Sequence, residues 1–312
     1  MNSGKRRVKV ARSGRKRTSV LRRRRSITLS LRTPREFRVA TLSWINPANQ
    51  DPLRDVETFI DDLAQVRHSL RERVPDLLLC AGFSVDGLPD LNRIDTAMQG
   101  TPVLFEDGNG RWLIVHRRGG VSRMDVVRTE QLIQSSDQVP SQAESLYDVL
   151  ASGEGSITLG HDTYLLLLIC GENNVLAYGG TVFKKSRSVP FELRSALRGS
   201  WIVLNPAHKP YKSKTREAGF EKIGQSSVMP KSLPPTMQRV VHQAVRSPNG
   251  PMPPLALIHV NNMHPNKPWT ENFASVVFTR NLRDRLRPLS KSMDGGRWRV
   301  SNYRISLLKR LP

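Results

Sequence analysis

A chain of 312 residues with 38% hydrophobic side chains can bury a sizeable core, which excludes wholesale disorder. Its longest apolar run, Tyr164 to Cys170, is too short for a membrane-spanning helix, and two cysteines, Cys80 and Cys170, cannot build a disulfide framework or a Cys-based zinc site. Basic residues at the N-terminus are not followed by an apolar segment, so a reducing cytoplasm is the expected compartment.

The formal charge of +22 is unevenly spread: residues 1–35 hold 14 Lys and Arg and no acid, whereas residues 36–312 carry 35 basic side chains against 27 acidic. The segment 1–35 has too few apolar residues to offset the entropy of ordering it and is expected to be a disordered tail. Its functional reading is salt-sensitive, nonspecific contact with nucleic acid or an anionic surface, and its plainer reading is a solvated extension. The absence of aromatic residues from it argues against a dedicated single-strand binder.

From residue 36 a single α/β domain is predicted. Residues 37–44 (FRVATLSW) form a strand apolar on both faces, and Asp51-Pro52 supplies an N-cap and a first-turn proline for a helix. That helix carries Val56, Phe59, Ile60, Leu63, Val66, Leu70 and Val74 at three- and four-residue steps. Residues 76–80 are a short buried strand ending at Gly82, which makes a strand-helix-strand crossover. Residues 101–105 and 111–116 flank Asp107-Gly108-Asn109-Gly110 as a hairpin, and residues 156–159 and 163–170 flank Gly160-His161-Asp162 in the same way. A short helix is expected at 188–197 and a strand at 201–205. Residues 206–253, rich in Lys, Pro and Ser, are expected to be an insertion or long excursion with a possible helix at 235–245. Strands at 254–261 and 273–279 and a closing segment at 297–308 complete the domain. There is no internal repeat.

Functional groups in open α/β folds gather beyond the C-terminal ends of strands. One such end is Leu165-Leu166-Leu167-Leu168-Ile169 running into Cys170-Gly171-Glu172-Asn173-Asn174. Cys170 is a nucleophile if a base or positive charge favours its thiolate, and otherwise a small buried side chain. His208, after residues 201–205, either lines the pocket or is an exposed loop histidine, and Asn205 is either a pocket donor or a partner for strand ends. His259 and His264 lack further converging ligands, so no metal site is expected, and no glycine-rich phosphate cradle is present, so no cofactor is expected.

FRVATLSW at 37–44, PDLLLCAGFSVDG at 75–87, ICGEN at 169–173 and WIVLNPAH at 201–208 resemble, in order and wording, the nitrilase or carbon-nitrogen hydrolase superfamily. The resemblance spans about residues 37–280 and is most specific at Cys170. It implies a four-layer α-β-β-α sandwich, usually a homodimer, with a Glu-Lys-Cys triad acting on an amide or nitrile through a covalent thiol intermediate. Carried onto this chain, Cys170 matches the nucleophile, Arg123 stands where lysine is expected, and Glu130 resembles a supporting acid. Glu172 and Asn173 fall in the pocket. Gly82 stands in place of the glutamate base, which leaves Asp86 as a substitute base or an ordinary turn residue. Two functions therefore follow: a cysteine-dependent hydrolase, or a catalytically inactive module kept for binding or assembly.

Overall fold

The computed structural model describes residues 27–33, 36–45, 53–71, 73–134, 138–160, 163–173, 200–208, 256–262, 275–279 and 293–307. The expected helices at 188–197 and 235–245 and nearly all of the 206–253 excursion lie outside these residues.

Among the described residues the strands are β1 (Ile27–Thr28), β2 (Glu36–Trp44), β3 (Leu77–Cys80), β4 (Val103–Glu106), β5 (Trp112–Arg118), β6 (Val121–Arg128), β7 (Ser156–Gly160), β8 (Thr163–Leu167), β9 (Ser200–Pro206), β10 (Ala256–Val260), β11 (Ser275–Thr279), β12 (Met293–Asp294) and β13 (Trp298–Ser306). The helices are α1 (Val56–Ser69), α2 (Leu91–Met98) and α3 (Val139–Ala151). Two mixed sheets result, one ordered β1-β7-β8-β9-β10-β11 and the other β12-β13-β2-β3-β4-β5-β6. Strands β2, β3 and β4 run parallel in the second sheet, and β8, β9 and β10 run parallel in the first. Their C-terminal ends deliver Trp44, Cys80, Glu106, Leu167 and Pro206.

The sheets face each other across one shared core. Leu165, Leu167, Ile202, Leu204, Ile258 and Val260 of the six-stranded sheet join Phe37, Val39 and Leu77 of the seven-stranded sheet in it. Alternation puts Leu166, Leu168 and Val203 in contact with the opposite face of the six-stranded sheet, where they are also buried. Burial on both faces is what near-continuous apolar strands require. On the outside of the seven-stranded sheet, Phe59 of α1 lies between Trp44 and Phe105 at ring separations of 6.1 and 5.3 Å. Helix α3 buries Ala143, Leu146 and Leu150 outside the shared core. The architecture is α/β, with two mixed sheets flanked by helices.

Three local expectations change. Helix α1 is capped by Asp55, whose side chain accepts from the Thr58 N–H, four residues later than the expected cap at Asp51. It ends at Ser69, short of Val74, because the chain must turn to feed β3. Asp76 anchors that turn, its carboxylate accepting the backbone N–H groups of Arg32 and Arg38 at 2.8 Å each. The fold also begins before residue 36: β1 pairs in parallel with β7, and Leu29 is buried in the core. A tail that supplies an edge strand and an apolar side chain gains burial to set against its ordering entropy, so the basic segment left outside the described residues is 1–26.

Candidate active site

Strand β8 continues through buried Leu168 and Ile169 to Cys170, which opens a single 3-10 turn, Cys170–Asn173, with a left-handed φ of 44°. A non-glycine residue held there costs about 1–3 kcal/mol, so its surroundings must impose it. Asn205 of β9 does so, donating from Nδ2 to the carbonyls of Leu168 and Cys170 at 2.5 and 3.0 Å. Both N–H groups being engaged, Asn205 Oδ1 accepts from His259 Nδ1 at 2.8 Å, which fixes the tautomer of His259. His259 is fully buried, and burial lowers its pKa to about 4 against the weaker opposing pull of Asn205. Gly171 is required beside the cysteine: a Cβ there would sit 2.4 Å from the Gln134 carbonyl oxygen.

The acid of this turn is structural. Glu172 is fully buried, and its two oxygens receive Arg128 Nη2 and Nη1 at 2.8 and 3.1 Å, a bidentate pair. The same carboxylate accepts the backbone N–H groups of Leu132 and Ile169 at 2.8 and 2.9 Å. Burial pushes its pKa up, and Arg128 with these two amides pulls it back. Arg128 also reaches the carbonyl of Glu130 at 3.0 Å, so the pair ties the end of β6 and the segment after it to the cysteine turn.

His208 lies beyond β9 with its Nε2 2.7 Å from Oε1 of Glu106 at the end of β4. The other carboxylate oxygen accepts the Phe83 backbone N–H at 2.6 Å. Phe83, at a φ of 57°, has its carbonyl held by Arg54 Nη1 at 2.6 Å and its ring 4.6 Å from the imidazole. The imidazole and backbone of His208 and the backbone of Gly171 lie near enough to the Cys170 thiol to act on its charge. With Nε2 engaged by Glu106, Nδ1 is the ring nitrogen that remains for another partner.

Burial alone would raise the Cys170 thiol pKa, but the hydrogen bond and charge of His208 outweigh it and leave the thiol below its ordinary range. Burial likewise opposes protonation of His208, while Cys170 and Glu106 overcome it and raise the imidazole to about 9. Both shifts favour a thiolate-imidazolium pair near neutral pH. Cys80 is the opposite case: fully buried, its thiol is driven far up by desolvation.

The expected site residues divide accordingly. Cys170, Glu172, Asn205 and His208 come together. Asn205 is fully buried and clamps carbonyls, so it is not a pocket donor. The side chain of Asn173 lies outside the described residues. Arg123 is exposed on β6 opposite His116, and Glu130 is exposed with its carbonyl accepting from Arg128; among the described residues no hydrogen bond joins either to Cys170. The buried arginine is Arg128, five residues further on, and the acid that supports it is Glu172. Asp86 is an exposed turn residue whose backbone N–H bonds the Arg54 carbonyl, and no hydrogen bond among the described residues joins its carboxylate to Cys170 or His208. Glu106 was not expected. Its only sequence signal is a carboxylate closing an apolar strand, Val103-Leu104-Phe105-Glu106. Among the described residues no cluster of His, Cys, Asp and Glu is arranged to hold a metal, and no helix is long and apolar enough to cross a membrane.

Gly82 is explained by the same geometry. An added Cβ would stand 2.5 Å from Cδ2 and 2.9 Å from Cγ of His208, so the imidazole occupies the space a side chain at position 82 would enter.

No family model matches the chain, and no curated protein matches it. Several solved structures are similar over most of its length. A doubly substituted amidase from Nesterenkonia sp. AN1, in complex with acrylamide, is 12% identical, with 88% of this chain and 92% of that chain covered and a TM-score of 0.42. A glutamine-dependent NAD+ synthetase from Acinetobacter baumannii is 15% identical, with 89% and 48% covered and a TM-score of 0.42. The C. elegans NitFhit protein is 9% identical, with 87% and 61% covered and a TM-score of 0.40.

Proposed function

We propose that this chain is a cysteine-dependent hydrolase of carbon-nitrogen bonds, in which Cys170 is the nucleophile, His208 the acid and base, and Glu106 the group that orients His208. The observation that supports it is the His208-Glu106 hydrogen bond beside Cys170, with a thiol held low and an imidazole held high. In this reading the thiolate attacks an amide carbonyl carbon, forming a C–S bond and a tetrahedral oxyanion that the Gly171 and His208 backbone N–H groups can receive. The imidazolium then gives its proton to the departing nitrogen, the C–N bond breaks, and amine leaves an acyl thioester on Cys170. Neutral His208 takes a proton from water, whose oxygen attacks the thioester. The C–S bond breaks, the acid departs, and thiolate and imidazolium are restored. With a nitrile the first adduct is a thioimidate, protonated on nitrogen by the same imidazole.

The test is a panel of simple amides and nitriles, with release of ammonia or amine as readout and intact mass for the acyl-enzyme. Turnover abolished in Cys170→Ala and reduced in His208→Gln supports the proposal. Lack of turnover and of any Cys170 adduct across the panel refutes it. One observation favours a second reading, a module retained for binding or assembly: position 82 lacks the carboxylate that the family resemblance implies and has no room for one. An inert, unacylated Cys170 in the folded protein is the outcome that reading requires.

A further inference from the structure

The reacting groups come from both sheets. Cys170 and His208 extend from β8 and β9, whereas Glu106 ends β4 in the other sheet. A hydrogen bond between His208 and Glu106 therefore depends on how the two sheets are held relative to each other at this end. Backbone contact across the gap is slight here, with Gly82 N–H donating to the Ala207 carbonyl at 3.0 Å.

The stronger tie is Asn262, two residues past β10 and fully buried. Its Nδ2 donates to the Gly82 carbonyl at 2.5 Å and to the His208 carbonyl at 3.1 Å, and its Oδ1 accepts the Trp44 backbone N–H at 3.2 Å. One amide thus joins the ends of β2 and β3 to the segment after β9, using both of its N–H groups and its oxygen. A buried amide engaged in this way fixes geometry, because each lost bond would leave a buried carbonyl or N–H unsatisfied.

We propose that Asn262 is a positioning residue for the Cys170-His208-Glu106 series, acting through the backbone of His208 and Gly82 to hold the imidazole between a thiol on one sheet and a carboxylate on the other. The inference rests on the hydrolase reading of those three residues. Glu106 and Cys170 are the titratable groups that face His208 among the described residues, so a displaced imidazole loses both partners that keep it protonated.

The test is the pH dependence of Cys170 alkylation by iodoacetamide in the full chain, with peptide mapping, for the parent protein, Asn262→Ala, Asn262→Asp and Asn302→Ala. Asn302 is the control: also fully buried, it donates to the Arg73 carbonyl at 2.6 Å from β13, and its loss measures what any buried asparagine clamp contributes to stability. Thermal unfolding of all four shows how much each variant is destabilised. The expected result is an upper break near pH 9 in the parent that falls by about one unit in both Asn262 variants, with alkylation near pH 7 reduced about tenfold, and no change of profile in Asn302→Ala. A parent thiol that titrates like a free cysteine overturns both the three-residue series and this assignment. A shifted parent profile reproduced by folded Asn262→Ala and Asn262→Asp overturns the assignment alone. An equal change in Asn302→Ala also overturns it, since the effect would then follow from loss of stability.

Discussion

Replacing Glu106 by Gln keeps the shape of the side chain and removes its charge. Glu106 is 5% exposed and its Oε1 lies 2.7 Å from His208 Nε2, so the bond is charge-assisted and poorly screened. Such bonds contribute about 1.5–3 kcal/mol, and with about 1.4 kcal/mol per pKa unit the imidazole should fall by about 1–2 units from its raised value near 9. A tautomeric effect adds to the electrostatic one. The Phe83 N–H binds the second oxygen at 2.6 Å, and if the glutamine oxygen keeps that partner its NH₂ must point at His208 Nε2. Nε2 then accepts, and the ring proton is forced onto Nδ1 in a neutral imidazole. His208 would keep its position and lose its protonated state. The expected outcome is a second-order alkylation rate for Cys170 near pH 7 that drops about tenfold or more, with the upper break moved down toward pH 7–8. Amide turnover should fall by about 10²–10⁴-fold. The assay is iodoacetamide labelling across pH with peptide mapping. An unchanged pH profile in folded Glu106→Gln refutes the argument.

Gly82→Ala should displace the imidazole, since its Cβ would meet ring atoms at 2.5 and 2.9 Å; Cys170 labelling is expected to revert to that of an ordinary thiol, and Gly82→Glu is expected to lower amide turnover rather than raise it. Glu172→Gln leaves the buried Arg128 guanidinium with only the more distant Glu154, 3.9 Å from its Nε, as counter-charge and should cost about 3 kcal/mol in denaturant unfolding, whereas exposed Arg123→Ala should change stability and Cys170 reactivity little. His259 provides a pH signature of stability. Its pKa is about 4 folded against an ordinary 6.5, so the unfolded chain binds the proton more tightly. Its contribution is complete above pH 6.5 and is lost as pH falls through 4, by about 3 kcal/mol in all; His259→Gln should flatten that part of the unfolding free energy against pH. The basic segment gives a separate test: deletion of residues 1–26 should remove salt-sensitive binding to duplex DNA and leave Cys170 labelling unchanged, and retained binding would exclude that role.

Much of the strand framework was legible because its strands are buried on both faces. Leu77–Cys80 and the run from Leu165 to Ile169 are apolar without interruption, and no other element accommodates such segments at that length. Two of the missed elements have a mixed pattern. Strand β6, with Val121, Arg123 and Val126 exposed and Val127 and Arg128 buried, carries a charge on its buried end, so neither alternation nor apolarity marks it as a strand. Helix α2 is only eight residues long and is set by its cap, Asp90, which accepts the N–H groups of Asn92 and Arg93. Helix α1 was found but mis-started, because Asp51-Pro52 and Asp55 both offer caps and local sequence does not rank them.

The site was legible at its nucleophile and hidden in its proton chemistry. Cys170 follows an apolar strand at once, and strand ends are where an α/β fold presents chemistry, so the segment itself points to it. Glu106 and His208 stand 102 positions apart in the chain and meet only because β4 and the segment after β9 end at the same edge of two facing sheets. Periodicity reports which face a side chain takes and not which strand ends converge. The resemblance that located Cys170 also directed attention to Gly82 as a loss, and to Arg123 and Asp86 as replacements. The geometry turns that inference around: with the imidazole 2.5 Å from where a Cβ would be, glycine at 82 is the condition for His208 to reach both Cys170 and Glu106. A missing side chain in a familiar pattern is therefore evidence of lost chemistry only after the space it vacates has been inspected, and here that space holds an imidazole.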